Sequence, residues 1–104
     1  MQVLHTPQDA ARWLAGRVNG QLQCDSRRVG AGDGFIAWPG AATDGRQYMA
    51  QALAQGAAAC LMEREGSEPW HTLEPSDRLA ALPGLKHSRH RFALGFFPWP
   101  LTAG

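Results

Sequence analysis

The chain has 104 residues, of which 44% are apolar and 18% charged, and its formal net charge is +1 at pH 7. This length matches one domain, and the apolar content is sufficient for a packed core, which argues against wholesale disorder. The near-neutral charge excludes a nucleic-acid binder that relies on bulk electrostatics, so we expect no nucleic-acid partner.

The sequence shows neither a membrane span nor a secretory leader. No apolar run approaches the roughly 20 residues that a membrane-spanning helix needs, and the amino end lacks a long apolar segment. The two cysteines, Cys24 and Cys60, do not form a CxxC pair. These features predict a cytoplasmic protein without a membrane partner and with two buried, reduced thiols.

The first predicted element is a helix that opens at Thr6. Thr6 can cap the free amides, Pro7 suits the first helical position, and Asp9 favours the positive end of the helix dipole. Gly16 or Gly20 is expected to end this helix. Its apolar face, assigned from helical spacing, comprises Ala10, Trp13 and Leu14.

Two strands with a glycine-rich turn between them are predicted next. Residues 21–24 alternate between polar and apolar, which predicts a short strand with one buried face. Residues 30–34 predict the turn. The continuous apolar run 35–38 is typical of a strand covered on both faces, and Pro39 breaks it.

A second helix and a third strand complete this part of the chain. Asp44 is expected to cap a helix over residues 45–55, and Gly56 to stop it. Residues 57–62 predict another buried strand. Strand, helix and strand in one compact stretch indicate a parallel crossover, so the predicted class is α/β, with a small mixed or parallel sheet and flanking helices. The predicted apolar stripe of the helix is Tyr48, Met49, Ala52 and Leu53.

The composition changes after Met62. Residues 63–69 predict a polar surface loop, and residues 76–82 a short helix. From residue 86 onward the chain is basic and aromatic, without an acidic residue and without a helical or strand period. We therefore divide the chain into a domain over residues 1–85 and an atypical tail over residues 86–104.

The first cluster with chemical potential is Asp25, Ser26 and Arg27. It follows a predicted strand, at the edge where open α/β sheets place ligands. A serine hydroxyl and neighbouring amides can hold a phosphate or a uracil edge, with Arg27 or Arg28 supplying charge. The alternative is that Asp25 and Arg27 only tie down a turn.

The second cluster, residues 40–46, lies between a buried strand and a helix start. Its small residues let a ligand approach the backbone, and the amides of the helix start favour an anionic group. The alternative is an ordinary strand-to-helix loop with an aspartate cap.

Other kinds of chemistry find little support in the sequence. Lys86 is the only lysine and no G-x-x-x-x-G-K-[ST] loop is present, so the chain alone cannot carry out ATP chemistry through such a loop. No serine lies in a G-x-S-x-G context, and no catalytic residue is assigned. No metal site is predicted either, because metal-ligand spacing is absent around the four histidines, His5, His71, His87 and His90.

Taken in order, the clusters resemble the amino-terminal domain of the Mur ligases. The family pattern is DSR-x-V, PGD-[LF]-F-[VI]-A, G-x-x-x-DGR and A-[IL]-x-x-GA-x-A-x-[IL], and the resemblance is good from residue 22 to residue 63. It is most specific for the branch that adds meso-diaminopimelate, or lysine in some bacteria, to UDP-N-acetylmuramoyl-L-alanyl-D-glutamate. The matching stretches are residues 24–29, 32–37, 39–40, 44–48 and 51–57.

The resemblance implies a three-domain cytosolic ligase of peptidoglycan synthesis that uses ATP and Mg²⁺ to form an acyl phosphate, which an incoming amine attacks. It implies that this domain holds the uridine diphosphate end of UDP-N-acetylmuramoyl-dipeptide. Matched motif to motif, the residues at that end are Cys24, Ser26, Ala41, Ala42 and Thr43, with Arg27, Asp44 and Arg46 as possible support. Family members often carry His-Gln at the positions of Ala41 and Ala42, so backbone contacts are expected there.

The end of the chain departs from the family. Relatives continue to a GTNGKT[ST] phosphate loop, which is absent here. We therefore expect no ligation by this chain alone, and the tail indicates a shifted reading frame or a truncated gene model. Two alternatives remain open: a module with weak uridine-nucleotide affinity, and a non-functional product with an exposed apolar tail. Oligomeric state and the choice of diamino acid are not indicated.

Overall fold

The computed structural model describes residues 1–38, 44–73, 76–85 and 101–102. The described strands form one six-stranded sheet in the order β1-β5-β4-β3-β2-β6, and every pair in it is parallel. The predicted α/β class is confirmed. The sequence left open whether the sheet is mixed or parallel, and all of the described strand pairs are parallel. The strands are β1 Gln2–Val3, β2 Leu22–Gln23, β3 Gly34–Ala37, β4 Ala59–Glu63, β5 Leu79–Leu82 and β6 Leu101–Thr102, and the helices are α1 Pro7–Ala15 and α2 Met49–Ala54.

Helix α1 begins and ends as its sequence predicts. The Thr6 side chain accepts a hydrogen bond from the amide of Asp9 at 3.1 Å, and Gly16 is the carboxyl-terminal cap. Ala10 and Leu14 are buried, whereas Trp13 is half-buried. The helix therefore packs one narrow apolar stripe against the sheet.

The sheet is covered on both of its faces, as is usual for parallel sheets. One face packs against α1 and the other against α2, because side chains alternate along each strand. The α1 face comprises Leu4, Ala10, Leu14, Val18, Leu22, Ile36, Ala59, Leu61, Ala80, Leu82 and Leu85. The α2 face comprises Val29, Phe35, Ala37, Met49, Ala52, Leu53, Ala57, Cys60, Met62, Leu79 and Ala81.

The second predicted helix lies where the sequence places it, but it has two parts. Residues Gly45–Tyr48 form a 3₁₀ turn, and α2 continues from it. Gly56 has φ 102°, a conformation that favours glycine, and it ends the segment before β4. The expectation that Tyr48 belongs to the apolar stripe is wrong, because its side chain is 41% exposed.

The predicted helix over residues 76–82 is wrong. Only Ser76–Arg78 is helical, as a 3₁₀ turn, and Leu79–Leu82 is strand β5. β5 lies between β1 and β4 with parallel pairing to both, and all four of its residues are buried. The Leu-Ala-Ala-Leu stretch has high helix propensity, but pairing on two sides and burial on two faces outweigh that propensity.

Three smaller expectations also need correction. The segment 63–69 is not wholly a surface loop, since Glu63 ends β4 with 6% of its area exposed and Ser67 is 1% exposed. Of the two thiols, Cys60 is buried and Cys24 is only half-buried. Within the tail, Leu101–Thr102 pairs with β2, where the sequence shows no strand period. Glu63 and the Leu101–Thr102 strand pair with β5 and β2, which are distant from them in the chain.

Candidate functional site

A cavity of about 540 Å³ lies beyond the carboxyl end of β2. In open α/β sheets this is the edge at which ligands bind. The wall of the cavity combines the segment that follows β2 with two side chains from the 3₁₀ turn and α2. The lining residues are Cys24, Asp25, Ser26, Arg27, Tyr48 and Gln51.

Ser26 is the buried polar residue of this wall. Its side chain donates a hydrogen bond to Oε1 of Gln51 at 3.3 Å, and the residue is 5% exposed. The side-chain amide of Gln55 donates to the backbone carbonyl of Ser26. Two glutamines one helical turn apart therefore hold Ser26 against α2.

Cys24 joins the ends of β2 and β3. The indole Nε1–H of Trp38 donates to the Cys24 Sγ at 3.0 Å, and the amide of Gly45 donates to the Trp38 carbonyl at 2.9 Å. Trp38 is thus bonded both to a residue of the cavity wall and to Gly45 at the start of the 3₁₀ turn. Ala41, Ala42 and Thr43, three of the predicted contact residues, lie outside the described residues.

Asp25 and Arg27 form an ion pair on the rim of the cavity. The Asp25 carboxylate accepts from the Arg27 amide at 2.9 Å and from its Nη2 at 2.7 Å. The Arg27 side chain is 80% exposed. Hydrogen bonds from Arg27 lower the pKa of Asp25 to about 2. At neutral pH the rim therefore carries a compensated but accessible pair of charges.

Asp44 and Arg46 form a second pair, in which the arginine is buried and the aspartate is half-buried. Nη2 of Arg46 lies 2.6 Å from the Asp44 carboxylate, while Nη1 donates to the carbonyls of Glu63 at 3.0 Å and Glu65 at 2.6 Å. The guanidinium also lies 4.7 Å from the centre of the Trp70 ring. Arg46 is outside the cavity lining.

Sequence reasoning did not identify Tyr48 and Gln51 as site residues. They are three positions apart, so they share one face of the helical segment that follows Asp44. That spacing was the available signal in the sequence. What the sequence could not reveal is that this face is turned toward the end of β2.

The described residues were compared with the requirements of a metal site and of a membrane-spanning helix. Across residues 1–38, 44–73 and 76–85, no three His, Cys, Asp or Glu side chains are grouped as metal ligands would be. The helices in the described part of the chain are too short or too polar to span a membrane.

A second cavity, of about 530 Å³, lies beside β1. Its lining includes Asp9 and Arg12, whose ion pair measures 2.9 Å and whose arginine is 79% exposed. Three strands separate β1 from β2 in the sheet. This cavity therefore offers an internal comparison for the one beside Ser26.

Residues 20–96 match the model of the Mur ligase family, catalytic domain. The chain is 52% identical over 100 residues to a UDP-N-acetylmuramoyl-L-alanyl-D-glutamate--2,6-diaminopimelate ligase from Acidovorax sp. (strain JS42), covering 96% of this chain and 20% of the relative. It is 44% identical over 81 residues to the ligase of the same name from Pseudomonas aeruginosa, covering 77% of this chain and 16% of that protein. It is also 43% identical over 80 residues to a UDP-N-acetylmuramoyl-tripeptide--D-alanyl-D-alanine ligase from Mycobacterium bovis, covering 77% and 15%. The chain thus spans about a fifth or less of the length of these relatives.

Proposed function

Since the chain belongs to the Mur ligase family, we propose that its cavity beyond β2 holds the uridine diphosphate end of a UDP-N-acetylmuramoyl-peptide. The names of the relatives describe ligases that act on such precursors of peptidoglycan. The observation that carries the proposal is the cavity itself. It lies where parallel sheets bind ligands, and Cys24 and Ser26, two residues assigned by motif matching, form part of its wall.

The described residues that flank the second cluster support the same site. Trp38 contacts Cys24 through its indole and is bonded to Gly45 through its carbonyl. Ala41, Ala42 and Thr43 lie in the sequence between Trp38 and Asp44, the described residues that flank this part of the second cluster. We propose that their backbone groups contribute to the uridine diphosphate site.

Of the arginines in the two clusters, Arg27 is the one suited to the diphosphate. Its guanidinium is exposed on the cavity rim, and guanidinium groups bind phosphate oxygens strongly. Arg46 is 10% exposed and already bonded to Asp44 and to two carbonyls. In this proposal Arg46 and Asp44 support the fold of the site without contacting the substrate.

The wider reaction is proposed from the relatives. We place the chain in an ATP- and Mg²⁺-dependent enzyme of the cytoplasm that adds a diamino acid to UDP-N-acetylmuramoyl-L-alanyl-D-glutamate. The 52% identity to a ligase of that name favours this branch over the D-alanyl-D-alanine branch. No step of the ligation is assigned to the described residues, whose role is to bind and orient the nucleotide end.

A titration of the full chain with UDP-N-acetylmuramoyl-dipeptide, followed through backbone amide shifts, tests the proposal. We expect shifts at Ser26, Tyr48 and Gln51, with a dissociation constant of roughly millimolar, because a single domain forms only part of such a site. If the amides of these residues stay unmoved at saturating ligand, the proposal is wrong.

The two exposed aspartate–arginine pairs supply matched variants for this titration. Arg27→Gln should weaken binding about fivefold, because it removes a cation from the rim and leaves Asp25 to repel the diphosphate. Arg12→Gln removes an equally exposed arginine from an aspartate pair beside the second cavity and should leave affinity unchanged. If Arg12→Gln weakened binding and Arg27→Gln did not, the ligand would bind in the cavity beside β1 and the proposal would be wrong.

A further inference from the structure

The outer edge of β1 has no role in the proposed function. Among the described strands, β1 stands at the end of the sheet and has β5 as its one neighbour. The amide of Leu4, directly after β1, donates to the carbonyl of Ala81 at 2.8 Å. In a parallel ladder the bonds to one neighbour come from alternate residues, so the N–H and C=O groups of Val3 both face away from β5.

The side chains along this edge are accessible as well. Val3 is 38% exposed and is one of two exposed large apolar side chains in the described part of the chain. Beside it lies the second cavity, whose wall carries the ion pair of Asp9 and Arg12. The Arg12 side chain is 79% exposed and that of Asp9 33%. One edge of the sheet therefore combines outward backbone groups, an exposed apolar side chain and an accessible pair of opposite charges.

We infer that this edge binds a second copy of the chain, with β1 of one protomer antiparallel to β1 of its partner about a two-fold axis at Val3. In an antiparallel pair, every second pair of opposite residues exchanges both of its backbone hydrogen bonds. Because both groups of Val3 are directed outward, two Val3 residues placed opposite each other supply each other's donor and acceptor. The edge is thus complementary to itself, which is what a two-fold interface requires.

The charges beside β1 fit the same symmetry. A two-fold axis between antiparallel strands is perpendicular to the sheet, so helix α1 of each protomer lies on the same face, beside the seam. Each protomer then brings one carboxylate, from Asp9, and one guanidinium, from Arg12. Opposite charges can therefore meet across the seam without a net charge from these pairs. Three strands separate β1 from β2, so the contact leaves the cavity beyond β2 open.

Sedimentation equilibrium of the full chain tests the association. Because β1 has only two residues, we expect a weak dimer, with a dissociation constant of about 0.1–1 mM. Between about 10 µM and about 2 mM the apparent mass should rise from 11.3 kDa toward twice that value. Hydrogen exchange at the Val3 amide should slow over the same range. A constant mass, or association without slower exchange at Val3, would overturn the inference.

Two substitutions at Val3 separate pairing at the edge from the fold. Val3→Pro removes an N–H that faces away from β5, a position at which edge strands tolerate proline, and should weaken association about tenfold. Val3→Thr keeps the N–H and the β-branched shape and should change the dissociation constant by no more than about twofold. Association that survives Val3→Pro unchanged would place the contact elsewhere and contradict the inference.

Charge variants test the two-fold symmetry and leave the backbone of β1 intact. Arg12→Glu leaves only acidic groups in the pair and Asp9→Arg only basic ones, so each variant alone should associate about tenfold more weakly than the wild type. An equimolar mixture of the two should recover association as a heterodimer. Arg27→Glu makes the same change in the other exposed pair and should have no effect. A mixture that associates no better than either variant alone would show that these charges do not face a second copy.

Discussion

Two turns in this molecule share one pattern, an aspartate followed two residues later by an arginine. In each, the carboxylate accepts from the arginine amide, at 2.9 Å for Asp25 and 3.0 Å for Asp44, and opens a 3₁₀ turn. In each, it also pairs with the guanidinium, at 2.7 and 2.6 Å. The surroundings differ, since the Arg27 side chain is 80% exposed and that of Arg46 is 10% exposed.

The difference shows that local sequence builds the turn but does not assign its function. At the end of β2 the arginine faces open space beside a cavity. Before α2 the same geometry places the arginine under the Trp70 ring and against the chain that leaves β4. Only the first can meet a ligand, while the second stabilises the fold. The same substitution made at Arg27 and at Arg46 should therefore have different effects on stability.

The largest expected effect is on folding stability at the buried turn. Arg46→Ala leaves the carbonyls of Glu63 and Glu65 without their donor and the half-buried Asp44 carboxylate without its cation, so we expect a loss of about 2–4 kcal/mol in the free energy of unfolding. That is a large share of the stability of an ordinary domain, about 5–15 kcal/mol. Urea denaturation of wild type, Arg46→Ala and Arg27→Ala measures the contrast.

In that measurement Arg27→Ala should unfold within error of the wild type, because exposed pairs contribute little. Arg46→Lys should give an intermediate loss, since an ammonium group keeps the charge but cannot reach Asp44 and both carbonyls at once. Equal midpoints for Arg46→Ala and Arg27→Ala would contradict the contrast between the turns.

A smaller effect is expected where the buried turn meets the chain after β5. The Glu63 carboxylate accepts from the amides of Gly84 at 3.0 Å and Leu85 at 2.9 Å, and its own carbonyl accepts from Arg46. Glu63→Gln replaces one acceptor oxygen by an NH₂ group, which leaves one amide without a partner at a cost of about 1–3 kcal/mol. Hydrogen exchange at Gly84 and Leu85 should accelerate accordingly.

The exposed Glu65 provides the control for that experiment, because its contact with Arg46 is through the backbone carbonyl. Glu65→Gln should leave the exchange rates at Gly84 and Leu85 unchanged. Unaltered rates in Glu63→Gln would mean that the carboxylate does not hold this segment.

The smallest effect is electrostatic and belongs to the exposed turn. Arg27 lowers the pKa of Asp25 from 3.8 to about 2, so the pair stabilises the fold above the unfolded-state pKa and is lost as the pH falls from about 4 to about 2. Exposure and salt screening keep this contribution small. A carbon-13 titration of the Asp25 carboxyl should show a midpoint near 2, and Arg27→Gln should raise it toward 3.8. A wild-type midpoint already near 3.8 would mean that the pair is not formed.

The elements with local signals were predictable from the sequence. Thr6 and Gly16 bound α1, and the apolar run around Phe35 is a buried strand, because capping and hydrophobic pattern act over a few residues. Strand β5 was not predictable in this way. Its leucines and alanines suit a helix, and its pairing depends on β1, about 78 residues away, and on β4.

The residues of the candidate site also differ in whether local sequence could identify them. Cys24, Ser26 and Arg27 were identified from a motif at the end of a strand, and they do line one cavity. Tyr48 and Gln51 were missed because their relevance depends on which face of α2 is turned toward β2. Arg46 was grouped with the site as possible support because it belongs to the DGR motif of the second cluster, and only its burial reveals its structural contacts.

What the amino-acid sequence determined by itself is therefore the local chemistry: the caps, the two aspartate–arginine turns, the buried strands and the membership of a family. The tertiary structure alone decided which arginine is accessible, which helix face completes the cavity, and which side chain the Ser26 hydroxyl contacts. The physical reason is the separation along the chain of the residues that interact. Hydrogen bonds within a turn join neighbours in the chain, whereas burial and the choice of a hydrogen-bond partner such as Gln51 are set by segments that meet only after the sheet has formed.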